Sequence, residues 1–150
     1  MAIARGAGTE IIRSAHFEND GGTTELDLIF GVQHHIYTVL SIIVCPVSLN
    51  ATTDTLTFIL RGYDAKGGTT AQDIRLFQAN PPAGDTYVFN DKFSFNGHEP
   101  TDFAGPLNDA TKQDAIADQA SAVAQKLICS STHANDTYEI HVTYIDQNNS

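Results

Sequence analysis

Apolar side chains recur at every second position through several short stretches of this chain, the period of a strand with one face turned inward. Between Thr55 and Tyr63, Leu56, Phe58 and Leu60 alternate with Thr57, Ile59 and Arg61. Glu25–Val32 sets Leu26, Leu28, Phe30 and Val32 on one face, and Tyr138–Ile145 does the same with Tyr138, Ile140, Val142 and Tyr144. His35–Val44 behaves differently, because Leu40, Ile42 and Val44 alternate with Val39, Ser41 and Ile43, so both faces are apolar. That pattern predicts a central strand or one covered on both sides. Shorter strands are expected at Ile74–Ala79 and Ala122–Ser131. The rigid turn Pro81-Pro82-Ala83-Gly84-Asp85 leads into Thr86–Phe95, where Tyr87, Phe89, Phe93 and Phe95 share a face and Asn90-Asp91-Lys92 interrupts with a turn.

Two regions fall outside the alternation. Residues 1–22 read as an N-terminal arm: Arg5-Gly6-Ala7-Gly8 is loose, Glu10-Ile11-Ile12-Arg13 is β-prone, and Asn19-Asp20-Gly21-Gly22 is a turn. Ile3, Ile11, Ile12 and Phe17 give the arm apolar surface to bury, against its own domain or across a neighbouring subunit. Residues 96–121 read as an insertion, with a short helix expected near 108–120, capped by Asn108 or Asp109. The remainder, 23–150, reads as one domain of about seven or eight strands separated by turns. The expected fold is therefore all-β, an antiparallel two-sheet sandwich of jelly-roll or immunoglobulin-like kind.

Composition narrows the function classes. The 150 residues carry 8 Lys plus Arg against 18 Asp plus Glu, a net charge of −10. A basic footprint for nucleic acid is missing, and the same sign disfavours an anionic membrane surface. No apolar run reaches the roughly 20 residues that span a bilayer. The opening Met1-Ala2-Ile3-Ala4-Arg5-Gly6 lacks the apolar core of a secretory signal, so synthesis in a cytoplasm is expected. Cys45 and Cys129 sit in apolar strand contexts and read as small buried hydrophobes, although a single disulfide between them stays open.

Candidate chemistry is sparse. His34 and His35 are adjacent, so on a strand they point to opposite faces, and a structural or interface role is expected. Glu139 and His141 share the outer face of the last strand but lack a third ligand, and His98-Glu99 is a polar loop. The many aspartates never fall in a calcium-loop pattern. No nucleophile elbow, Cys–His signature or phosphate loop is present. The sequons Asn50-Ala51-Thr52 and Asn135-Asp136-Thr137 read as turns without a secretory signal. No enzyme activity, cofactor or metal is expected.

Taken in order, the Pro-Ala-Gly-Asp-Thr turn, the aromatic strand with Asp91-Lys92, and the closing Tyr144-Ile145-Asp146-Gln147-Asn148-Asn149 resemble small β-sandwich virion proteins of marine and cyanobacterial tailed bacteriophages. The opening Met-Ala-Ile-Ala-Arg-Gly-Ala-Gly-Thr-Glu-Ile-Ile-Arg-Ser carries the same resemblance. It implies a non-enzymatic capsid decoration or cement protein on the capsid exterior. Its partners would be itself, as a homo-oligomer with a trimer favoured, and the major capsid protein. Assembly would run through Ile3, Arg5, Ile11, Ile12, Arg13 and Phe17 of the arm. Two other readings compete. One is a neck, tail or fibre protein of the same virion. The other is a carbohydrate-binding sandwich that stacks sugars on Tyr37, Tyr63 and Tyr87, weakened by the absence of Trp.

Overall fold

A computed structural model of the chain describes residues 9–20, 22–32, 35–63, 72–97 and 123–148. Among these residues every regular element is a strand: β1 (Thr9–Asp20), β2 (Leu26–Phe30), β3 (His35–Ser48), β4 (Leu56–Tyr63), β5 (Gln72–Ala79), β6 (Tyr87–Phe89), β7 (Phe93–Asn96), β8 (Val123–Ser131) and β9 (Thr137–Asn148). They form two antiparallel sheets. The first runs β1-β9-β3-β6 with β7 also on β3, and the second runs β2-β8-β4-β5.

The order decides between the two expected sandwiches. β6 and β7 are two halves of one strand position, because both pair with β3, at Ile42–Val44 and Ile36–Val39. The chain then crosses from one sheet to the other at every connection except the β4–β5 hairpin. Eight strand positions wound this way make a jelly roll. The helix expected near 108–120 lies outside the described residues.

The interior is filled from both sheets. Val39, Ile42, Val44, Ile140 and Val142 of the first sheet meet Leu56, Phe58, Leu127 and Cys129 of the second, each at 0–1% exposure. Leu56, Phe58 and Leu60 point inward while Thr57, Ile59 and Arg61 point outward, as their alternation predicts. The aromatic segment also points inward, with Phe95 opposite Tyr37, Phe93 opposite Val39 and Phe89 opposite Ile42. Its rings continue a stack between the sheets: Phe58–Phe77 centroids lie 4.4 Å apart and Phe77–Phe89 4.3 Å. Stacking at such spacing adds about 0.5–1.5 kcal/mol per pair beyond burial.

β3 is central in the first sheet, between β9 and β6/β7, as its pattern predicts, but two expectations about facing need correction. β3 is apolar on both faces because it carries a bulge: Val39 pairs with Tyr144 and Ser41 with Thr143, leaving Leu40 as the extra residue. The bulge lets Val39 and Ile42 both point inward, and it lies level with the break between β6 and β7. The outer face of β3 is not covered among the described residues, since Ile43 is 36% and Val47 46% exposed. A second bulge in β2 buries both Leu28 and Ile29, and it turns Phe30 outward at 56% exposure instead of onto the face of Leu26.

Candidate functional site

The two outer faces differ in chemistry. On the second sheet, Arg61 reaches Glu25 with two bonds of 2.5 and 2.7 Å, and Asp73 with two of 2.6 and 2.8 Å. Lys126 stands 3.0 Å from Asp27 on the same face. Pairing with two carboxylates raises the Arg61 pKa further, and the same bonds hold Asp73 below the usual carboxylate range. Exposed pairs of this kind contribute little stability, but they keep the surface wet and ionic.

The first sheet presents a different face. Cross-strand pairing lines up Ile12 with Ile145, and a second row runs His16, His141, Ile43, Val88 across four strands. Ile12 is 72% and Val88 50% exposed. Cys45 and Glu139 form the next row beside a shallow depression of about 180 Å³. His16 and His141 stack with centroids 5.8 Å apart. Among the described residues no group of three His, Cys, Asp or Glu side chains is placed to hold a metal ion.

Among the described residues β1 is the outermost strand of this sheet, and two anchors hold it. Phe17 and Ala15 pack on the core. The Arg13 Nε–H donates to Asp146 Oδ2 at 2.8 Å, while His35 Nδ1 lies 2.6 Å from Asp146 Oδ1. The 4%-exposed Asp146 therefore ties β1, β9 and β3 together at one end of the sandwich. Beside this tie the Tyr37 hydroxyl accepts the Val32 N–H at 2.9 Å, and burial pushes the Tyr37 and Tyr144 pKa values up.

Residues 9–20 of the expected arm are thus a strand paired to their own chain. Of the six arm residues singled out from the sequence, Ile11, Arg13 and Phe17 lie on the inward-facing side of β1, Ile12 points to solvent, and Ile3 and Arg5 lie outside the described residues. Cys129 is buried in the core and Cys45 stands on the opposite, outer face of the first sheet; they form no disulfide. The sugar-stacking set is not assembled: Tyr37 is 3% exposed, and the Tyr87 ring leans on Phe77 at 5.7 Å. The Tyr63 side chain and His34 lie outside the described residues.

Sequence reasoning missed one buried polar knot at the opposite end. Asp136 is 1% exposed, and its carboxylate accepts the Asn50 N–H at 2.9 Å and the Ser131 hydroxyl. Ser131 also lies 3.3 Å from the Tyr138 hydroxyl. Burial pushes the Asp136 carboxyl up, but its hydrogen bonds, those from Asn50 and Ser131 foremost with Asp54 and His133 adding to them, together outweigh it and hold its pKa below the usual value. The knot binds the β8–β9 turn to the β3–β4 loop, beside a cleft of about 290 Å³ lined by Leu49, Asn50, Asn80 and Pro82. Among the described residues its lining carries no titratable group, only the amides of Asn50 and Asn80 and the hydroxyl of Thr52.

No protein-family model matches the chain and no curated protein matches it. Solved structures do. A chain from the Bacillus endospore appendages, described as disulfide-linked pili, is 10% identical with a TM-score of 0.44, covering 100% of this chain and 97% of that one. A chain from the acidic stable capsid of Helicobacter pylori bacteriophage KHP30 is 11% identical with a TM-score of 0.44, covering 93% and 89%. A chain of infectious bursal disease virus Gt strain is 9% identical with a TM-score of 0.45, covering 99% of this chain and 35% of that one. Resemblance at that level leaves function to be argued from the residues themselves.

Proposed function

We propose that this chain is a non-enzymatic structural protein of a phage virion, a decoration or cement protein that stabilises the head from its outer surface. The observation that carries the reading is the first sheet's outer face with its edge strand β1. Ile12, Ile43, Val47 and Val88 stand exposed on this face, while the outer face of the second sheet carries the Arg61 and Lys126 ion pairs beside one exposed aromatic, Phe30. An exposed apolar face of that kind marks a contact surface. The net charge of −10 disfavours a position against packaged DNA and suits the capsid exterior. Partners of this face are further copies of the chain and the major capsid protein.

The test is a point change in place of a deletion, because removing residues 1–16 would also strip most of β1 from β9. Ile12 is 72% exposed, so Ile12→Lys leaves folding intact. It is expected to lower capsid occupancy and self-association together. Full occupancy by the Ile12→Lys protein would overturn the assignment of this face. Copy number in the virion separates the two positions: hundreds of copies place the protein on the head, and a handful place it in the neck, tail or fibres.

A further inference from the structure

We propose that two copies of this chain join edge to edge through β1, antiparallel across a two-fold axis at Arg13, so that their first sheets become one. This contact rests on the assembly reading above and gives it a geometry. The two sheets end in four edges, and three of them are guarded. The β6/β7 edge is broken into pieces of 3 and 4 residues. β2 has 5 residues and a bulge. β5 has a register break opposite Phe58/Ile59, and Asp73 and Arg75 are exposed along it. Short length, bulges and charge are the devices by which sheets avoid pairing with strangers.

β1 is neither short nor bulged over most of its length, and its exposed charges there, Glu10 and Arg13, are of opposite sign. It pairs with β9 in unbroken register from Thr9 to Phe17, its irregularity comes only after Phe17, and it contains neither Pro nor Lys. Among the described residues nothing pairs with its other edge. A long unbroken edge pairs best with another of the same kind, and among the described strands the candidate is β1 itself. Self-pairing of one strand makes a two-fold contact. The closed unit is then a dimer and not the trimer expected from the sequence.

The register follows from the extent of the regular stretch. Residues 9–17 are centred on Arg13, so an axis at Arg13 uses all of them. It sets Thr9 opposite Phe17, Glu10 opposite His16, Ile11 opposite Ala15 and Ile12 opposite Ser14. Glu10 and His16 are both exposed and meet twice per dimer. An axis one residue further on, at Ser14, would set Glu10 against Glu18 twice, and like charges directly opposite are destabilising. The two Arg13 side chains at the axis are each already held by their own Asp146 at 2.8 Å. Nine residues on each side supply about nine main-chain hydrogen bonds.

The experiment measures solution mass against concentration for the full chain by sedimentation equilibrium. The wild type is expected to be a monomer–dimer equilibrium. Glu10→Lys or His16→Glu alone is expected to weaken the dimer about threefold to thirtyfold, and the double change to restore it. In a Cys45→Ser background, Ile12→Cys mixed with Ser14→Cys should yield crosslinked dimers that neither variant yields alone. Far-UV circular dichroism checks that every variant is folded. An oligomer whose strength ignores both charge changes, or a mixture that does not crosslink, overturns the β1 contact and leaves the assembly reading standing. A wild-type monomer at all soluble concentrations overturns both.

Discussion

Asp136→Ala tests the buried knot at the loop end. The carboxylate accepts the Asn50 N–H at 2.9 Å and the Ser131 hydroxyl, at 1% exposure. Hydrogen bonds to a charged group contribute about 1.5–3 kcal/mol each. Ser131 can fall back on Tyr138 at 3.3 Å or the Thr55 carbonyl at 3.4 Å, whereas Asn50 has no such substitute among the described partners. The expected loss is therefore about 3–4 kcal/mol, a large share of the roughly 5–15 kcal/mol that holds a domain together. Asp136→Asn keeps one acceptor oxygen and should lose about half as much. Urea unfolding reads both as a lower midpoint at unchanged slope. The pH dependence is a second reading. Because the folded pKa is depressed, the stabilisation is present above the unfolded value near 3.9 and is lost as pH falls through the folded one. The wild type should thus lose stability below about pH 5 more steeply than Asp136→Asn. An Asp136→Ala protein within about 1 kcal/mol of wild type, or two variants of equal stability, would refute the reasoning.

Further expectations follow from packing and backbone. Gly97→Ala should be among the most damaging changes, since its Cβ would fall 1.9 Å from the Val32 carbonyl oxygen; thermal melting that matches wild type would count against the close approach. Phe58→Ala removes a ring at 0% exposure that stacks 4.4 Å from Phe77, and should cost about 3–5 kcal/mol in denaturant unfolding. Arg61→Ala, on the ionic face, should cost about 1 kcal/mol or less at physiological salt despite its four short bonds, because exposed pairs are screened; a loss above about 2 kcal/mol would mean that the network is structural.

Much of the sandwich was legible because period-two alternation in β4 and the aromatic run of β6/β7 are undisturbed. The facing of β2 and β3 was not legible, for a definite reason. A bulge adds one residue and flips the parity downstream, and nothing in Val39-Leu40-Ser41 or Asp27-Leu28-Ile29 marks it. Instead, the doubled apolarity that a bulge produces imitates a strand buried on both faces. The Asp136 knot was invisible for another reason. Asp136 and Asn50 are 86 residues apart, and each reads locally as a turn residue. Ile11 and Ile12 read alike in the sequence, and only the register of β1 on β9 shows that Ile12 faces solvent while Ile11 shares the side of Ala15 and Phe17.

The placement of β9 between β1 and β3 sets a clock for synthesis. Arg13 and its partner Asp146 are separated by 133 positions, so β1 leaves the ribosome long before the strand that will hold it. At about 5–20 residues per second the wait is on the order of ten seconds. For that time β1 lacks the strand that will hold it, while β3 can already pair with β6 and β7, so the sheet cannot be completed from local contacts. Crowded polysomes would bring many such strands together. A net charge of −10 on the whole sequence helps keep nascent copies apart over that interval, until β9 arrives and pairs with β1.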